Sequence, residues 1–318
     1  MRLGAALIIL AACGGTGARA QEPLPTEGPA DIAAMRALLQ RYSPVQYAIV
    51  TTYESLPGKF TIDGGESTIS HAQTFADWFR DGAAYNTVEQ LDTSIHESFH
   101  AYSGSMGLQL VSEQGRYGDG VRAVLVDDDP YLLRFTPTFP ARDTAETFPA
   151  GARTFRHEVY VLGDSSTQID GVYGYLDEWC AYYHGNHTAL DLWPWVRDEA
   201  PRHERVIGNY VATLHKIQMA HAEFKLFILH YLLHAKEHEP EIYDALLANA
   251  TFRRAYVEID AAYAALVEAS RALEPEVHAF ARASGVDPAG YLLMEDGFAG
   301  VVATLVARPY VEMDAALR

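Results

Sequence analysis

Cysteine is almost missing from this sequence: two residues in 318, Cys13 and Cys180. Cys13 lies in an N-terminal segment that reads as an export signal, so the rest of the chain can form no internal disulfide. A chain of this length does not need one, because its core is large enough to carry the fold. Cys180 then reads as a small buried hydrophobe. Positive charge is also short. Lys and Arg total 24 against 42 Asp and Glu, for a formal net charge of −18. That excludes a nucleic-acid partner, since a polyanion needs a basic footprint. No apolar run approaches the ~20 residues of a spanning helix, so no transmembrane span is expected in the mature chain. The P-loop and the Gly-x-Ser-x-Gly nucleophile elbow are missing, as are internal repeats and low-complexity tracts. What is present is an ordinary globular balance, 49% hydrophobic and 21% charged,.

The N-terminus carries targeting signals rather than fold. Met1-Arg2 starts positively, residues 3–12 are apolar, and Ala18-Arg19-Ala20 offers a small-x-small cleavage site before Gln21. Residues 1–20 therefore read as a bacterial export signal. Leu10-Ala11-Ala12-Cys13-Gly14 resembles a lipoprotein box, so lipidation of Cys13 is the alternative to cleavage after Ala20. Either route implies an exported protein: periplasmic, secreted or lipid-anchored to the cell envelope. Residues 21–30 form a Pro-rich tether, and residues 31–318 read as one domain.

Along that domain, residues 31–40 read as a short helix. Residues 46–52 and 59–63 read as strands, with Pro57-Gly58 and Gly64-Gly65 as turns,. Residues 122–126 and 131–135 read as a hairpin around Asp127-Asp128-Asp129-Pro130. The acid triplet lacks the ligand spacing of a calcium loop and reads as a charged turn. Residues 154–162 alternate, with Phe155, His157, Val159 and Val161 on one face, as a strand does,. From Gly171 onward the signals are helical. Pro201 and Pro240 bracket a long helix, residues 251–273 continue in the same style, and Asp287-Pro288 starts a last one,. The expected class is α+β, predominantly helical, with a small sheet and a helical C-terminal half.

One motif carries chemistry. His96-Glu97-Ser98-Phe99-His100 is an HExxH pattern. Two histidines four apart on a helix lie one above the other and can grip a single Zn²⁺, with the intervening Glu beside the metal as general base. Asn86 or Thr87 can cap such a helix, with Glu89 or Gln90 completing a capping box, and Gly104 can end it,. Val88, Leu91, Ile95, Phe99 and Tyr102 give it an apolar stripe, with both histidines at the stripe's edge,.

A catalytic zinc site needs a third protein ligand and an open position. Glu178 is the best candidate, in the run from Gly174 to Gly185. Gly174, Glu178, Ala181 and Gly185 share one helical face, and small residues flanking a carboxylate allow close approach to another helix,. Asp177, adjacent, is the alternative. Tyr182, one turn on, is placed to hydrogen-bond the ligand carboxylate. His184 and His187 are the other ligand alternatives, but Gly185-Asn186 reads as the end of that helix,.

HExxH followed by a helix carrying Glu, with Ala and Tyr after it, resembles the gluzincins, the thermolysin-like zinc metallopeptidases. The resemblance covers two helices. It implies a zincin-like core, His96, His100 and Glu178 as zinc ligands, Glu97 as general base, one Zn²⁺ per chain and a peptide or protein substrate. The alternative readings are a cell-envelope binding or assembly protein with a structural or catalytically inactive zinc site, and a zinc amidase acting on a non-peptide bond. Tyr182 stands where thermolysin-like enzymes carry Asp. A donor for the reaction's oxyanion is needed as well, and Tyr175, Tyr182, Tyr183, His157 and His184 are the candidates. Residues 154–162 are placed to pair with an extended substrate. His230, His234 and His238 also recur at four-residue spacing, but no other segment offers a converging ligand, and they read as polar inserts in a buried helix.

Overall fold

A computed structural model describes residues 30–62, 65–68, 74–79, 86–114, 120–126, 129–292 and 296–318. The export segment with Cys13, nearly all of the tether, and Asp127-Asp128 lie outside them. The described chain is α+β and mostly helical. Two helices open it, α1 (Ile32–Tyr42) and α2 (Pro44–Ser55). Asp31 caps α1 by accepting from the Ala34 amide at 3.1 Å,. An antiparallel pair follows, β1 (Lys59–Ile62) and β2 (Gly65–Thr68), with Lys59 opposite Thr68. Then come the motif helix α3 (Thr87–Gln114) and a second hairpin, β3 (Val121–Val124) and β4 (Tyr131–Arg134), with Val121 opposite Arg134. A short turn α4 (Phe155–His157) widens into a π-helical turn over Glu158–Leu162, and α5 (Thr167–Asp170) leads into α6 (Val172–Asp191). The rest is α7 (Trp193–Asp198), α8 (Glu204–His238), α9 (Pro240–Ala248), α10 (Ala250–Ala283), α11 (Phe298–Leu305) and α12 (Arg308–Leu317).

Packing explains where the site lies. Helices α6, α8 and α10 surround an aromatic core that includes Trp179, Phe224, Phe227, Tyr256 and Tyr263. The other side of α3 meets a second cluster with α1, α2, α7 and α8, through Val88, Leu91 and Ile95. The hairpins cover the far end of α3 through Phe60, Val111, Val121 and Leu132. The expected stripe on α3 is buried from Val88 to Tyr102. His96 and His100 therefore sit on a helix fixed along most of its length, at its seam with α6.

Several expected elements differ. Residues 46–52 are helical, within α2, not a strand. The run of β-branched residues is overridden by burial of Gln46, Ile49, Val50 and Tyr53, which is helical spacing, and by Pro44 at the helix start,. Residues 154–162 are also not a strand. Arg156, His157, Tyr160 and Val161 are buried while Phe155 is exposed, so the apparent alternation was coincidental. Gly104 does not end α3. A side chain there would meet the Arg122 guanidinium at 2.9 Å, and one at Gly107 the Arg122 backbone at 3.0 Å. Both glycines make room for β3 to cross the helix. Nor does Gly185-Asn186 end α6. A Cβ at Gly185 would fall 2.7 Å from the Asp92 carbonyl oxygen, so this glycine sets the closest approach of α6 to α3. Asp287-Pro288 opens only a 3-10 turn, Pro288–Tyr291.

Candidate metal centre

Helices α3 and α6 bring three ligand atoms to one point. His96 Nε2 and His100 Nε2 lie 3.1 Å apart. Glu178 Oε2 lies 3.5 Å from the first and 3.4 Å from the second. Ligands about 2.0–2.2 Å from a tetrahedral zinc stand about 3.3–3.6 Å from each other. The three edges match one face of that tetrahedron. Glu178 Oε2 is buried and accepts no hydrogen bond, although it faces two imidazoles. An orphaned carboxylate oxygen is expensive unless a cation satisfies it. The donor set therefore fits Zn²⁺. The side chains are 13%, 23% and 10% exposed, so the centre lies just under the surface.

Asp177 does not join the three converging atoms. Its Oδ2 lies 2.7 Å from His100 Nδ1 and accepts that proton, leaving the His100 Nε2 lone pair turned toward Glu178 and His96,. Arg122, from β3, stands behind it at 3.9 Å and also bonds Asp170 at 3.3 Å. Burial opposes ionisation of Asp177, but Arg122 and His100 outweigh it and hold its carboxyl below the ordinary range. Glu178 behaves alike: burial pushes its carboxyl up, and His100 and His96 pull it further down. For His100 burial disfavours the charge, and the Glu178 and Asp177 carboxylates override it and raise the imidazole well above its usual value. Two buried carboxylates thus demand positive charge at this point.

Glu97 sits between the histidines in sequence, partly exposed, and makes no hydrogen bond or ion pair among the described residues. Tyr182 reaches the centre by a different contact than expected. Its ring stands edge-on to His96, with centroids 4.5 Å apart, and its hydroxyl meets Tyr160 at 3.1 Å rather than the Glu178 carboxylate. Behind Tyr182 the Arg156 guanidinium lies 4.9 Å over the ring and bonds the fully buried Glu223 at 2.6 Å.

The other expected donors are placed elsewhere. Tyr175 packs on Phe227 and Tyr231 of α8. His157 packs on Phe148, with Glu158 at 3.6 Å, and its helical turn leaves no strand for a substrate to pair with. His184 is engaged elsewhere, with Nε2 2.8 Å from the Leu125 carbonyl oxygen and Nδ1 2.8 Å from Gln46 Oε1. His187 pairs with Asp191, and Tyr183 packs against His184, His187 and Tyr263. His230 and His234 share Thr147, and His230 also bonds Tyr310. Burial pushes the Cys180 thiol up, which suits a core residue and not a nucleophile,.

Tyr160 and Arg122 are the neighbours that sequence reasoning missed. Burial raises the Tyr160 phenol well above its usual value, and the nearby Glu178 charge adds to this, so it stays a neutral proton donor beside the centre. It was hidden in a segment read as a strand. Arg122 was hidden because nothing local ties a hairpin residue to a helix fifty positions on. The chain matches no protein-family signature, no curated protein and no solved structure, so what this centre can do rests on its own geometry.

Proposed function

We propose that this chain is an exported zinc-dependent metallopeptidase of gluzincin type, built on a zincin-like core and acting on a peptide or protein substrate. The observation that carries the reading is the convergence of His96, His100 and Glu178 at 3.1–3.5 Å, with Glu97 next to His96 in the same helix. A bound zinc would supply a water acidified to about neutral pH and positive charge for a developing oxyanion. The chain's own residues do the rest. Glu97 takes a proton and returns it to the leaving amine. Asp177 holds His100 in one tautomer, the Tyr182 ring holds His96, and Tyr160 offers a neutral hydroxyl. A purely structural zinc has no use for Glu97, and structural sites are usually closed by four side chains. Among the described residues, three converge here.

Zinc content and hydrolysis of a peptide library test this together. The His96→Ala/His100→Ala variant should lose one zinc equivalent relative to wild type and all hydrolysis. Glu97→Gln should keep that equivalent while the rate falls by about 10²–10⁴-fold. Unchanged zinc content in the double variant, or full activity in Glu97→Gln, would sink the proposal.

A further inference from the structure

A second cluster of metal-ligating side chains lies outside this centre. His215 on α8 faces Glu274 and His278 on α10, and one ligand atom from each lies within 4.8 Å of the other two. Glu274 and His278 are four apart, on one face of α10, with His278 Nε2 3.8 Å from Glu274 Oε1,. The Nε2 atoms of His215 and His278 are both shielded from solvent and both lack a hydrogen-bond partner. Buried polar atoms without partners are rare, and each calls for a reason, an absent ion among them. Two such nitrogens beside one carboxylate point to the same reason. The charges nearby are already engaged: Arg271 bonds Gln218 and Glu268, and Lys216 turns to Glu89.

A second observation is independent of the first. Pro275 lies inside α10, between Glu274 and His278. Proline removes one helical hydrogen bond and crowds the preceding turn, which weakens or kinks a helix. A cation held by Glu274 and His278 would span that turn from outside, and His215 would tie it to α8.

We infer that His215, Glu274 and His278 form a second zinc site, a clamp joining α8 to α10 across the proline turn. Two imidazoles and a carboxylate are a donor set suited to Zn²⁺, and a ligand atom of each already lies within 4.8 Å of the other two. The inference stands apart from the proposed peptidase activity, because it concerns different residues and is read without a substrate.

The test removes the first site. Full-length mature protein carrying His96→Ala/His100→Ala is stripped with chelator and reloaded with zinc alone. Metal content and Tm are then measured. The expected result is one remaining equivalent and a Tm several degrees higher with zinc than without. Adding His215→Ala or His278→Ala should abolish both the equivalent and the zinc-dependent shift, while the zinc-free Tm stays near that of the background. Should either alanine variant fail to fold, Glu274→Gln, which keeps shape and removes charge, gives the same readout. The clamp is refuted if the background protein binds no zinc, or if the equivalent and the shift survive these substitutions.

Discussion

Asp177 does its work through a single proton. It accepts Nδ1–H of His100 at 2.7 Å, and Arg122 stabilises it from behind. Asp177→Asn keeps the shape, removes the charge and lets the amide present its donor face to Nδ1, which favours the wrong tautomer. The expected outcome is zinc affinity reduced about 10–100-fold, measured by competition with a chromophoric chelator, with little change in the fold of the zinc-free protein. Wild-type affinity in Asp177→Asn would show that the carboxylate does not orient the ligand. At this scale the sequence was informative where chemistry is local. Residues 96–100 announce themselves because two imidazoles and a carboxylate sit within five positions of one helix. Glu178 was legible from its small neighbours. Asp177 was visible only as a rival ligand, because its role depends on which way α6 is rotated. Of the clamp residues, Glu274 and His278 share a four-residue spacing that is ordinary on a charged helix, and nothing local ties them to His215, which lies far away in sequence.

Between helices, glycine decides how close α3 and α6 come. Gly185 lies two turns beyond Glu178, and a Cβ there would stand 2.7 Å from the carbonyl oxygen of Asp92, one turn before His96. Backbone cannot rotate away, so Gly185→Ala must push the helices apart at the seam that joins Glu178 to the histidines. The expected cost is about 1–3 kcal/mol in urea denaturation, together with weaker zinc binding. Gly151→Ala is the control, since a Cβ at Gly151 meets nothing within 4 Å, and it should change stability by less than about 0.5 kcal/mol,. Equal behaviour of the two variants would remove Gly185 from the account. The same contact explains which elements sequence reasoning could place. Long helices with apolar stripes, such as α3 and α8, were legible, as were the hairpins flanked by turn residues. Gly104 and Gly185 read as helix stops in the sequence because close crossing by a distant segment leaves no local mark. Residues 46–52 and 154–162 failed for the opposite reason: β-branched composition and a chance alternation outweighed burial spacing that only tertiary packing reveals.

Across the molecule, two buried histidines serve as ties between segments distant in sequence. His184 joins α6 to the Gln46 amide of α2 and the Leu125 carbonyl. His230 joins α8 to Tyr310 of α12 and to Thr147. Burial lowers each imidazole to about 4. Between about pH 4 and 6.5 the unfolded chain therefore binds protons at these positions that the folded chain does not, so stability rises with pH through that window and is lost as pH falls. Each histidine contributes on the order of 3 kcal/mol to that loss by pH 4. Asp92 works in the opposite sense, because burial raises its carboxyl to about 6 and its folded form holds a proton that the unfolded form has released. His100, Asp177 and Glu178 are shifted as well, so the slope of wild type alone is mixed. A difference isolates the histidines. In chelator, unfolding free energies of wild type and His184→Gln/His230→Gln are compared from pH 7 to pH 4. Asp92 and the metal centre are common to both chains and cancel. The variant should start less stable at pH 7, where both ties are intact in wild type, and lose less as the solution is acidified, so the two curves converge toward pH 4. Parallel curves over the whole range would show that neither imidazole is held neutral by the fold.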